Sequence, residues 1–175
     1  VVRAEYPDVT LIGPALAPRN DWAGWMRDFA EAGGFDLVDG LSTHPYTFPQ
    51  APEGSTRYEG HIATLRSLMT EFGADLPMYL TEVGWPTSTN SQGVSELVQA
   101  RLTTRAELLA LEDGIAQYTI YDFMDDGLDA AEMEHRFGIV RNTNDPRGSF
   151  TPKPAYVSNA VLARQIHERP VLRSE

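Results

Sequence analysis

The stretch Pro77-Met78-Tyr79-Leu80-Thr81-Glu82-Val83-Gly84-Trp85-Pro86 decides how the rest of the chain is read. A β-favouring run from Met78 to Val83 delivers one carboxylate and then stops at Gly84 and Pro86. A Glu at the last step of a buried strand is costly unless it faces water, a partner or a substrate. The carboxyl ends of parallel strands are also where α/β proteins gather their chemistry. Glu82 is therefore the first candidate functional side chain. The bland alternative is a strand-end carboxylate that is only solvated or paired.

Working outward from that strand, the same cycle of strand, special loop and helix recurs four times. The first strand is expected at Val9 to Ile12, ending at Gly13-Pro14. A helix capped at Asn20-Asp21 follows, with Trp22, Trp25, Met26 and Phe29 as a core stripe and Gly33-Gly34 as its stop. The second strand is expected at Leu37 to Thr43, running into His44-Pro45-Tyr46. Its helix carries Tyr58, Ile62, Leu65, Met69 and Phe72 at helical spacing and ends at Gly73. The third strand, Met78 to Val83, leads through the polar loop 87–93 to a long amphipathic helix marked by Leu97, Val98, Leu102 and Leu109. The fourth is expected at Ile115 to Phe123. An acidic loop follows, then a short extra strand at Phe137-Gly138-Ile139-Val140, and a last helix opened by Lys153-Pro154-Ala155-Tyr156.

This alternation implies a parallel sheet with right-handed crossovers. Periodicity does not separate an open doubly wound sheet from part of a (β/α)8 barrel. No Gly-rich phosphate loop follows any strand, which disfavours a nucleotide site. The chain of 175 residues is one domain's worth, with 42% hydrophobic and 22% charged residues. A net charge of −11 argues against nucleic acid and anionic membranes and suits a neutral or cationic partner. The absence of cysteine excludes disulfides and thiolate metal sites. Residues 1–168 are read as one domain and 169–175 as a polar tail. The opening Val1-Val2-Arg3-Ala4-Glu5-Tyr6-Pro7 reads as the end of a helix and a turn, as expected of a segment from a longer parent.

The expected strand ends carry, in order, Gly13-Pro14-Ala15, then Ser42-Thr43-His44-Pro45-Tyr46, then Thr81-Glu82-Val83-Gly84-Trp85, then Tyr121-Asp122-Phe123-Met124-Asp125-Asp126-Gly127. Together they resemble strands five to eight of the retaining (β/α)8 glycoside hydrolases, nearest the β-xylosidase and exopolysaccharide-hydrolase type. The resemblance implies four consecutive β/α units forming the carboxyl-terminal half of a TIM barrel. It implies that Glu82 is the catalytic nucleophile, attacking an anomeric carbon while a second, protonated carboxyl about 5–5.5 Å away assists the leaving group. His44 and Tyr46 match the pair that holds the nucleophile by hydrogen bonding. Tyr121 sits where the family places an aromatic under the sugar, and Trp85 is taken as a further cleft aromatic. No cofactor is implied. The partners implied are a neutral or amino-bearing polysaccharide and either an amino-terminal half of the barrel or a second copy at the open sheet edges. A secreted or periplasmic parent is implied rather than a cytoplasmic one.

One departure matters. The family's proton donor follows an Asn in an Asn-Glu pair, and no such pair occurs in this sequence. The chain is therefore expected to be inactive alone. Two other functions stay open at this point. The first is a non-catalytic carbohydrate-binding half-barrel. The second is a calcium-binding α/β domain using Asp122, Asp125, Asp126, Asp129, Glu132 and Glu134, although their spacing is not that of an EF-hand.

Overall fold

The computed structural model describes residues 1–17, 21–54 and 57–167; Asn20 and the expected tail 169–175 lie outside them. In chain order the described elements are α1 (Val2–Glu5), α2 (Trp22–Glu31), β1 (Leu41–Thr43), α3 (Tyr58–Glu71), β2 (Met78–Val83), α4 (Glu96–Glu112), β3 (Gln117–Ile120) and α5 (Pro154–Ile166). Short 3-10 turns occupy Gly34–Leu37 and Glu134–Arg136. No helix among the described residues is long and apolar enough to cross a membrane.

Local chemistry sets the helix ends. The Asp21 carboxylate accepts from the Gly24 amide at 2.9 Å, and the Ser95 hydroxyl accepts from the Val98 amide at 3.3 Å. Pro154 stands in the first turn of α5, where its missing N–H leaves no bond unmade. Gly73 and Gly114, with φ of 67° and 68°, take the left-handed conformation just past α3 and α4.

The main core lies between the sheet and α2, α3 and α4. Met26, Leu41, Tyr58, Ile62, Leu65, Leu80, Val83 and Ala106 are all buried there. On α2 the inward face is Trp22, Met26 and Phe29. Trp25, expected in that stripe, is 49% exposed and stacks on Phe29, because the apolar stripe is wider than the sector the sheet covers. Leu97 of α4 is likewise exposed, while Gln99 and Leu102 point inward.

The three strands pair in parallel in the order β1-β2-β3, Leu41 opposite Met78 and Tyr79 opposite Gln117. The sheet is open and is neither closed nor curled into a barrel. The expected four β/α units of a half (β/α)8 barrel are thus corrected. Val9 to Ile12 is not a strand: it makes the single bridge Ile12–Gly40, just before β1, and the next isolated bridge, Leu16–Thr43, lies beyond it. Two features explain this. The Leu11 amide donates to the Asp39 side chain rather than to a strand, and Pro14 has no N–H to continue a ladder. The same two bridges partly cover the outer edge of β1, leaving β3 without a strand on its outer side among the described residues.

The second and fourth strands are shorter than expected. Leu37 closes the 3-10 turn begun after Gly33, so β1 starts only at Leu41. Pairing of β3 ends at Ile120, and the expected strand at Phe137 to Val140 makes only isolated bridges, from Val140 to Met124 and to Pro152.

Between Leu80 and Val83 the register slips: Leu80 faces Tyr118 but Val83 faces Ile120. One extra residue of β2 is accommodated there, as in a β-bulge, and Thr81 and Glu82 occupy it.

Behind the sheet ends, α5 is fastened by buried charge. Lys153 Nζ donates to Asp125 Oδ1 at 2.6 Å and to Thr87 Oγ1 at 3.0 Å, and both ions are 0% exposed. The Arg136 guanidinium lies 3.5 Å from Asp125 Oδ2, and Asn142 Nδ2 donates to the Asp125 carbonyl at 2.8 Å. Removing one partner strands the other in a dry site. Lys153→Met is therefore expected to cost about 3–5 kcal/mol in a urea titration, and adding Asp125→Asn should recover part of the loss.

Asp122 sits beside this cluster. Burial, then Asp126 and Asp125, pushes its carboxyl up to about 7, and its Oδ1 is buried with no hydrogen-bond partner. The folded chain then keeps a proton that the unfolded chain releases near its ordinary pKa of about 3.9. The stability contributed by this group is full below about pH 4 and is lost as pH rises through about 7. Measured side by side by thermal melting, Asp122→Asn should gain on the wild type steadily over that interval.

Candidate functional site

The site is built where β1, β2 and β3 end. Just past β1, the His44 amide donates to the Leu16 carbonyl at 2.9 Å and the Tyr46 amide to the His44 carbonyl at 2.8 Å. This tight path aims both side chains at the end of β2. Tyr46 Oη donates to Glu82 Oε2 at 2.8 Å, and His44 Nδ1 lies 3.3 Å from the same oxygen. On its other side, His44 Nε2 is 2.8 Å from Thr81 Oγ1, which is in turn hydrogen-bonded to Ser42 Oγ. The extra residue in β2 lets Thr81 and Glu82, adjacent in sequence, reach the same imidazole. Thr43, between Ser42 and His44, points the other way and binds His61 Nδ1 at 2.8 Å in the core.

Close backbone approach completes the frame. A Cβ on Gly84 would stand 1.8 Å from the Tyr121 carbonyl oxygen, so only glycine lets the ends of β2 and β3 lie this near. Tyr121 follows β3 directly, its amide donating to the Val83 carbonyl at 2.9 Å. Its ring joins Tyr46, Phe48 and Phe137 in an edge-to-face group, with Tyr121–Phe137 at 5.2 Å and Tyr46–Phe48 at 5.4 Å.

These side chains open on a cavity of about 430 Å³, within the usual range for a small-molecule site. His44, Tyr46, Glu82 and Tyr121 all line it. The Glu82 side chain is 37% exposed and that of His44 15%. Burial lowers the His44 pKa, an effect only partly offset by Glu82, so the ring is neutral at neutral pH. Burial, then the hydrogen bond to Glu82, pushes the Tyr46 hydroxyl far up, so it remains a donor. Tyr121 is raised too, first by burial and then by Glu134.

Trp85, expected in the cleft, is instead 1% exposed. Its Nε1 donates to the Gln50 carbonyl at 2.8 Å and its carbonyl accepts from Gln99 Nε2 at 2.9 Å, which fixes it as core. Phe48, Phe137, Arg57 and Gln92 line the cavity although sequence reasoning assigned them no part in a site. Ser42 and Thr81 were not named as site residues either; the signal was a hydroxyl on the same face of the strand as His44 and another directly before Glu82.

The acidic loop does not converge. Asp125 is committed to Lys153, Asp129 Oδ1 accepts from the Ala131 amide, and Glu132 Oε1 accepts from the Glu134 amide. Among the described residues no group of three or more His, Asp or Glu could hold a metal ion.

No protein-family model matches the chain, and no curated protein matches it. Solved structures do. A family 39 glycoside hydrolase from the gut symbiont Bacteroides cellulosilyticus WH2 is 28% identical with a TM-score of 0.73, over 95% of this chain and 36% of that one. Beta-glucosidase 1317 is 20% identical with a TM-score of 0.54, over 93% and 46%. A calcium-binding mutant of Bacteroides uniformis beta-glucuronidase 2 is 15% identical with a TM-score of 0.57, over 97% and 18%. The chain thus spans between 18% and 46% of the length of these structures. The likeness is spread over diverse glycoside hydrolases, and with an open three-stranded sheet the narrower likeness to half of a β-xylosidase-type barrel is not upheld. What the chain has is a glycoside-hydrolase-like fold.

Proposed function

We propose that the chain carries the nucleophile side of a retaining glycoside hydrolase site, with Glu82 as the attacking carboxylate. The observation that supports this most is the convergence of Tyr46 Oη and His44 Nδ1 on one oxygen, Oε2, of a carboxylate that lines an open cavity. Two groups on one oxygen orient the carboxyl and leave Oε1 as the attacking atom. In the reaction, Oε1 bonds to the anomeric carbon as the bond to the leaving oxygen breaks, giving a glycosyl ester that water later hydrolyses. The aromatic group around Tyr121 offers rings to the apolar face of a pyranose.

The leaving group of a natural glycoside needs a proton, and the sequence holds no Asn-Glu pair to supply it. Activated glycosides do not need that proton. Incubation with a panel of dinitrophenyl 2-deoxy-2-fluoroglycosides, pentosides and hexosides, should therefore leave a covalent sugar adduct on Glu82, detected by peptide mass spectrometry. Glu82→Gln should abolish it. Tyr46→Phe should slow labelling roughly 10- to 100-fold, the worth of one hydrogen bond to a charged group. Oligosaccharide binding with no adduct, unchanged in Glu82→Gln, would favour a non-catalytic carbohydrate-binding domain. Rapid hydrolysis of unactivated glycosides by this chain would show that it holds its own proton donor.

A further inference from the structure

We propose that Thr81 and Ser42 are positioning residues whose hydroxyls donate in series to Nε2 of His44, which carries its proton on Nδ1 toward Glu82. The inference deepens the proposed function and rests on Glu82 as the reacting group, but its first test needs no catalysis.

The argument is a count of protons and lone pairs. A neutral imidazole carries one N–H. His44 Nδ1 faces Glu82 Oε2 at 3.3 Å, and an ionised carboxylate only accepts. A bare Nδ1 there would set lone pair against lone pair, so Nδ1 carries the hydrogen. Nε2 is then an acceptor, and the atom 2.8 Å from it is Thr81 Oγ1, whose hydroxyl must donate. Having used its single hydrogen, Thr81 Oγ1 can only accept from Ser42 Oγ, its other partner. Ser42 is 1% exposed, so its hydroxyl does not find that acceptor in bulk water instead. Every donor in the chain Ser42 → Thr81 → His44 → Glu82 therefore points toward the carboxylate.

The reverse arrangement fails at the carboxylate. With the proton on Nε2, Thr81 would accept from His44 and would have to turn its own hydrogen to Ser42. The imidazole would then present a lone pair to Glu82. Glu82 thus selects the tautomer, and Ser42, by donating to Thr81, holds that hydroxyl in the donating orientation that the bare Nε2 needs. The side-chain methyl of Thr81 has no part in this, so serine should substitute for it.

The chain has four histidines, so the ring of His44 can be followed one by one with the others in a uniformly ¹⁵N-labelled sample. Long-range ¹H–¹⁵N correlation at pH 7 should show the Nδ1–H pattern for the resonance that disappears in His44→Gln. A protonated Nε2, or a doubly protonated ring, in the unmodified protein would overturn the inference without any variant having to fold. By removing the hydrogen bond to Nε2, Thr81→Val should move the Nε2 resonance further downfield with the proton still on Nδ1, and Thr81→Ser should restore it; an unchanged Nε2 shift in Thr81→Val would also overturn the inference. In the adduct assay Thr81→Val should label roughly tenfold more slowly, with Thr81→Ser close to the unmodified rate. If the ring shows the Nδ1–H pattern but no adduct forms on Glu82, the tautomer inference stands and the catalytic reading fails.

Discussion

The extra residue that β2 carries against β3, between Leu80 and Val83, is the constraint on which the site depends. In a regular strand Thr81 and Glu82 would point to opposite faces. Accommodating one residue without a partner allows both to reach His44, Glu82 at Nδ1 and Thr81 at Nε2. The irregularity is tolerated because both flanks are secured. Leu80 and Val83 are buried in the core, and Gly84 lets the Tyr121 carbonyl close over the end of the strand. Site geometry and core packing are thus set by the same six-residue strand.

Polar burial is organised in two tiers around that strand. Near the cavity, hydroxyls and one imidazole surround a single, partly exposed carboxylate, Glu82, which limits the cost of desolvation. Farther back, full charges are buried together, as a group of Lys153, Asp125 and Arg136. Lys153 directly precedes α5, so this group ties the last helix to the loop after β3, in which Glu134 reaches the cavity wall. The position of that wall therefore depends on charges that contact nothing in the cavity.

Much of this was legible in the sequence, and the limits have physical causes. β2 could be read to the residue, because a β-favouring run stood between Pro77 and Gly84. The helices were readable from their period and, for two of them, from Asp21 and Pro154 at their starts. Strand count was not. Whether Val9 to Ile12 pairs depends on where the Leu11 amide goes, and it goes to the Asp39 side chain, far along the chain. Of the site, Glu82, His44, Tyr46 and Tyr121 could be named from spacing and resemblance, and they meet at one cavity. Trp85 could not be placed, since a Trp after a strand reads equally as cleft or core until Gln50 and Gln99 are seen to hold it. The role of Thr81 was hidden because it depends on the extra residue in β2, a difference between two strands that neither reveals alone.

The buried ion pair has a consequence for how this fold can drift over time. A single replacement at position 153 or 125 leaves the buried group of Lys153, Asp125 and Arg136 with unbalanced charge, so intermediates bearing only one change are expected to be disfavoured. The two positions are expected to be inherited as a unit, exchanged together or not at all, even though they lie 28 residues apart in the chain.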